Sequence, residues 1–154
     1  DSQLDRFMVR LSIGYPTPED EVELLRRKQQ GASLDAVRQV LSHEELLHLR
    51  QMVEQVHLSD QVLEYLVALV GATRNHPAIL QGGSPRAALS LAAISRSYAF
   101  LQGRDYVVPE DVQRLFLDTL AHRMIPVTGG QESSAAALKE VLHGVPMPRL
   151  GQKP

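Results

Sequence analysis

The chain has 154 residues, 44% of them hydrophobic and 22% charged, with a formal net charge of −2 and a sequence pI near 6.3. That is a folded, globular composition with no excess of positive charge to draw it to nucleic acid or an acidic membrane. It contains no cysteine, which excludes thiolate chemistry, disulfides and cysteine-ligated zinc or iron–sulfur centres.

The sequence opens in DSQLDRF without a methionine and reads as the interior of a longer protein. No signal-peptide pattern is visible. Residues Phe7 to Ile13, FMVRLSI, alternate well enough to predict a strand, which GYPTP then breaks. From there the period is helical. EDEVELLRRKQ begins with acids and ends with Arg26, Arg27 and Lys28, the order the helix dipole favours, and Gly31 stops it. SLDAVRQVL is a short helical or extended piece. SHEELLHLRQMVEQV follows, with Ser42 and Glu45 spaced as a capping box.

LSDQVLEYLVALVGATR predicts a helix capped by Ser59 or Asp60, with apolar positions around most of its circumference, so a central place in a bundle is expected. Its apolar run VLEYLVALVGA is about half the length that a membrane-spanning helix needs. NHPAILQGG reads as a loop. GGSPRAALSLAAISRSYAF then predicts a helix with Ser84 as cap, Pro85 in the first position and small alanines that let neighbouring backbones approach; Gly103 ends it. A further helix begins at Pro109, with Glu110 and Asp111 in its first turn. VTGGQESS is the least structured stretch, SSAAALKEVLHGV is suited to one short helix, and PMPRLGQKP is a proline-bearing tail. Together these elements read as one edge strand attached to an all-α body of four or five helices.

Candidate chemistry is sparse. The six histidines are scattered, and HEELLH is not the HExxH zinc pattern because its second histidine comes one residue late. Glu44 with Glu45, and Glu110 with Asp111, suit helix starts better than acid–base pairs. GGSPR lacks the context of a serine nucleophile, and no glycine-rich phosphate loop with lysine and Ser/Thr occurs. No helix combines the turn and polar residues of a DNA reader. One residue stands out. Arg86 sits at the start of its helix, the wrong end for a cation, unless an anion lies nearby. By itself this stretch favours an arginine that simply salt-bridges locally or reaches solvent.

Three stretches together, SQLDRFMVRLSIGYP, then LVGATRN…GGSPRAALSLAAISRSYAFLQGRDYVVPEDV, then LAHRM, resemble the C-terminal portion of a MoxR-type AAA+ ATPase. The resemblance runs from Ser2 to about Arg123 and weakens through the tail. It implies an all-α fold, a small helical bundle (the AAA+ lid) preceded by one strand left over from an α/β ATPase core. The division it suggests is residues 1–15 as core remnant with the arginine-finger motif and last strand, 16–125 as helical lid, and 126–154 as C-terminal tail.

Arg86 falls on the lid's second sensor arginine, which reaches the terminal phosphates of ATP, with Ser84 and Pro85 setting its direction of approach. Arg6 falls on the arginine finger, which acts in trans on a neighbouring subunit's site; the local alternative is a pair with Asp5 or another local acid. Asp5 is expected to orient the turn. Thr73 and Arg74 match a family-typical stretch with a structural use, Arg104 and Asp105 suit a local pair, and His122 and Arg123 close the last helix, with a contact to a neighbouring subunit conceivable. The family further implies ATP and Mg in the complete protein, no metal held by this chain, a homo-oligomeric ring, a client protein to assemble or activate, and a cytoplasmic location. The phosphate loop, the acidic magnesium motif and the first sensor residue are missing from this sequence, so the chain alone is expected to hydrolyse nothing. The alternative is a helical protein-interaction or structural domain with no nucleotide role.

Overall fold

The computed structural model describes residues 3–31 and 37–149. These group into two units, Leu11–Arg50 and the remainder, Asp1–Arg10 with Gln51–Pro154. The division differs from the expected boundaries at 15 and 125, because chain on both sides of the Leu11–Arg50 segment packs into one body.

Within Leu11–Arg50, α1 (Pro18–Gln29) starts where the Thr17 hydroxyl accepts the Asp20 N–H at 3.2 Å, and no residue of α1 is buried. The start of α2 (His43–Glu54) is the expected capping box. The Ser42 N–H donates to a Glu45 carboxylate oxygen at 2.7 Å, and the Glu45 N–H donates to the Ser42 hydroxyl at 3.1 Å. Part of SLDAVRQVL, residues 33–36, lies outside the described residues.

The larger unit is built from α3 (Asp60–Arg74), α4 (Pro85–Leu101), α5 (Pro109–Leu120) and α6 (Gln131–Gly144). α4 packs on α3 and α5, and α6 packs on α3 and α5. Phe116, Leu69, Leu91, Leu120 and Leu138 are the largest wholly buried apolar side chains. Of the alanines that the sequence marked for close approach on α4, Ala87 and Ala99 are fully buried, Ala88 and Ala92 are partly buried against the core, and Ala93 is exposed. α3 is less enclosed than its composition suggests. Leu63 and Val67 face solvent while Val62, Leu66, Leu69 and Val70 are buried, which makes α3 one-sided. The Ser59 hydroxyl caps α3 by accepting the Val62 N–H at 3.3 Å. Gly103, at φ +74°, takes the left-handed turn that ends α4.

Three features correct the expectations. Phe7–Ile13 forms no strand: its Arg10 N–H donates to the Asp118 carbonyl at 2.9 Å, and Ile13 is fully exposed. A strand exists only through pairing, and no ladder partner lies beside this segment among the described residues. The loop NHPAILQGG instead contains β1 (Ile79–Gln81), which pairs antiparallel with β2 (Ile125–Pro126), Ile79 opposite Pro126. Finally, α6, the short helix expected within a C-terminal tail, is part of the body. Ala137, Leu138 and Val141 enter the same core as Leu69 and Phe116, because its apolar face needs a surface to cover it.

Candidate functional site

The start of α4 is held by the end of α3. The Thr73 hydroxyl donates to the Val70 carbonyl at 2.6 Å and accepts the Gly83 N–H at 2.9 Å, while Arg74 Nε donates to the Gly83 carbonyl at 2.7 Å. The two glycines let this happen. A Cβ on Gly82 would lie 2.6 Å from the Arg74 nitrogen, and one on Gly83 would lie 2.9 Å from a Val70 methyl. GATRN and GGSPR are thus two halves of one clamp.

The clamp delivers Ser84, Pro85 and Arg86 in order. Ser84 Oγ accepts the Ala87 N–H at 3.4 Å, a long cap, and Pro85 occupies the first helical position, where its missing N–H costs nothing. Arg86 is exposed and makes no hydrogen bond or ion pair among the described residues. The first turn of α4 contains no acid to offset it.

A 3-10 turn, Leu4–Arg6, lies against this region. Ser84 Oγ donates to the Asp5 carboxylate, 3.1 and 3.2 Å from its two oxygens. Arg123 supplies the counter-charge. One terminal nitrogen donates to Asp5 at 2.9 Å, and the other donates to the Phe7 carbonyl at 2.7 Å and the Ser90 hydroxyl at 2.9 Å. The Arg123 side chain is 1% exposed and that of Asp5 31%. His122 Nε2 donates to the same Phe7 carbonyl at 2.9 Å, which places a hydrogen on Nε2, and its buried Nδ1 has no partner among the described residues. A cavity of about 290 Å³ opens beside this network, lined by Asp5, Gln81, Ser84, His122, Arg123 and Ile125 among others.

Arg6 does not pair with Asp5, contrary to the local alternative. Asp5 is engaged by Arg123 and Ser84, and Arg6 is exposed with no ion pair among the described residues. Arg104 likewise passes over Asp105 and grips Asp111 with two bonds, 2.8 and 2.6 Å, while the Asp105 carbonyl accepts the His57 N–H at 2.8 Å. Asp111 also accepts the Val108 N–H at 2.9 Å, so it caps α5 and anchors Arg104 together. The carboxylate bond holds the Arg104 pKa above its ordinary value. Among the described residues no three His, Asp or Glu side chains converge as a metal site requires.

Residues 71–141, the span from the end of α3 into α6, match the AAA lid domain family. Two curated relatives align along essentially the whole chain. YeaC of Bacillus subtilis, itself uncharacterised, is 34% identical over 96% of this chain, and the chaperone MoxR1 of Mycobacterium tuberculosis is 32% identical over all of it. The chain belongs to the MoxR-type AAA+ family. It spans about half the length of these relatives, 47% of YeaC and 44% of MoxR1. A solved structure from Cytophaga hutchinsonii, described as a “putative ATPase”, superposes with a TM-score of 0.84 at 30% identity, over 96% of this chain and 48% of that one.

The MoxR-type lid therefore has a clamp, a capped start to α4 and a docked N-terminal turn. The sequence pointed to Asp5, Arg6, Ser84, Pro85 and Arg86 and gave Arg123 as closing the last helix; its bond to Asp5 was not foreseen. Arg123 lies 118 positions from Asp5, and no local pattern links the two. Among the described residues no helix is long and apolar enough to cross a membrane.

Proposed function

We propose that this chain is the lid-bearing portion of an ATP-hydrolysing MoxR-type ATPase, in which Arg86 reads the nucleotide in cis and Arg6 serves a neighbouring subunit in trans. The observation that carries this is Arg86 itself, exposed and unpaired among the described residues at a helix start with no acid in its first turn. A cation there is disfavoured by a few tenths of a kcal/mol, roughly, until an anion faces it. A triphosphate reverses the sign by accepting charge-assisted bonds from the guanidinium beside the free N–H groups of the helix.

Ser84 and Pro85 contribute by fixing where that helix begins. Arg6, also exposed, is available to offset charge developing on the transferred phosphoryl group of the next subunit in a homo-oligomeric ring. ATP and Mg would be held chiefly by the rest of the longer protein, since this sequence has no phosphate loop. The chain alone is accordingly expected to show no turnover. Lid motion that follows nucleotide state would act on a client protein.

The test is ATP turnover by the complete protein and its Arg86→Ala and Arg6→Ala variants. Losing the finger is expected to lower turnover by roughly 1,000-fold or more. Mixing Arg6→Ala with subunits that supply the finger but carry a disabled phosphate loop should restore part of it. Unchanged turnover in Arg86→Ala would sink the sensor assignment.

A further inference from the structure

We infer that Arg123 is a positioning residue for the finger, tying the turn that carries Arg6 to the start of the helix that carries Arg86. This rests on the finger and sensor roles proposed above. Its support is a set of contacts lying wholly inside the unit formed by Asp1–Arg10 and Gln51–Pro154.

Arg6 has no bonded side-chain partner among the described residues, so its direction depends on the backbone of its turn. That backbone is fastened on both sides of Arg6. Before it, the Asp5 carboxylate accepts from Arg123 and from Ser84, the N-cap of α4. After it, the Phe7 carbonyl accepts from Arg123 and from His122. One guanidinium therefore brackets Arg6 at both neighbouring residues, and its remaining bond goes to Ser90 inside α4. Only a planar fork reaches three acceptors in these directions; a lysine ammonium does not reproduce that geometry.

The consequence is mechanical. Ser84 is two residues from Arg86, and Asp5 is next to Arg6, so the Ser84–Asp5 bond makes the sensor's helix start and the finger's turn one piece. A lid that shifts when Arg86 meets phosphate carries Arg6 with it. The state of one subunit's nucleotide is thereby passed to its neighbour's site through Asp5 and Arg123. Arg123 itself touches no nucleotide in this scheme.

The experiment uses the complete protein. Arg123→Lys and Asp5→Asn are prepared beside Arg6→Ala, and each is mixed with subunits that have residues 5, 6 and 123 intact but a disabled phosphate loop. Asp5→Asn sits at a partly exposed position and keeps an oxygen to accept from Ser84, so it serves if Arg123→Lys does not fold. Arg123→Lys and Asp5→Asn alone are each expected to lose roughly 100-fold in turnover, the scale of a misplacement of about 1 Å, less than the loss expected of Arg6→Ala. Each should bind a fluorescent ATP analogue with unchanged affinity and regain turnover on mixing. Normal turnover in Arg123→Lys and Asp5→Asn beside a defective Arg6→Ala would overturn this inference and leave the finger standing. Lost turnover that mixing does not repair, with weakened nucleotide binding, would also overturn it, by reducing Arg123 to a residue of the fold. Unchanged turnover in Arg6→Ala would remove the finger assignment itself, and this inference with it.

Discussion

The Gly83 N–H donates to the Thr73 hydroxyl across 2.9 Å, and that hydroxyl in turn donates a hydrogen bond to the Val70 carbonyl at 2.6 Å. One side chain therefore satisfies a backbone donor at the mouth of α4 and an acceptor in the last turn of α3. Thr73 is wholly buried, so water does not replace it. Thr73→Val is expected to cost about 2 kcal/mol, the penalty for leaving a buried N–H unpaired, whereas Thr73→Ser retains the bond. Urea unfolding of the two variants checks this.

Gly82 makes the same approach possible by having no side chain. A Cβ there would meet backbone atoms of Thr73 and Arg74 at 2.6 to 2.7 Å, and backbone cannot rotate aside. Gly82→Ala is expected to destabilise by about 3 kcal/mol through overpacking. Gly103→Ala meets no atom within 4 Å and pays only for its φ of +74°, about 1 kcal/mol. Thermal unfolding of the pair separates steric from conformational cost.

Removing Arg104 strands the Asp111 carboxylate, whose side chain is 4% exposed. Arg104→Ala is expected to cost about 2 kcal/mol, below the figure for a fully buried pair because Arg104 keeps some contact with water. Arg104 has its pKa raised by Asp111, so its stabilisation is complete below the unfolded value and is lost only as pH rises through the folded one. Titration over ordinary pH should therefore leave this part of the stability flat, and stability curves of wild type and Arg104→Ala should run parallel there on the alkaline side.

Glu45 has the opposite sign. The Ser42 N–H, and after it the Ser42 hydroxyl, hold its carboxyl below the ordinary value of 4.5. Its contribution to the start of α2 is present above the unfolded value and is lost as pH falls through the lower, folded one. NMR titration should place the Glu45 midpoint below 4.5, and Ser42→Ala should return it toward that value.

The capping devices were legible because each is closed within a few residues. Ser42 with Glu45, Ser59 with Val62, and Ser84 with Ala87 each span three positions, so the sequence displays both partners together. The helix from Pro109 and the stop at Gly103 follow from the same short-range chemistry. Phe7–Ile13 shows where such reasoning fails. Alternation describes a face that a strand could bury, yet pairing needs a second strand, and that is not a property of the segment.

By itself the sequence determined where most helices begin, which faces of them are apolar, and that Arg86 stands at a helix start without a local acid. Caps, dipoles and helical period act over one or two turns of chain. Tertiary structure alone decided that β1 pairs with β2 and that α6 belongs to the core. It also chose Arg123 over Arg6 as the partner of Asp5, and Asp111 over Asp105 as the partner of Arg104. Those choices depend on which buried charges the packed helices bring within about 3 Å of each other, and an ion pair between distant positions leaves no periodic mark on the chain.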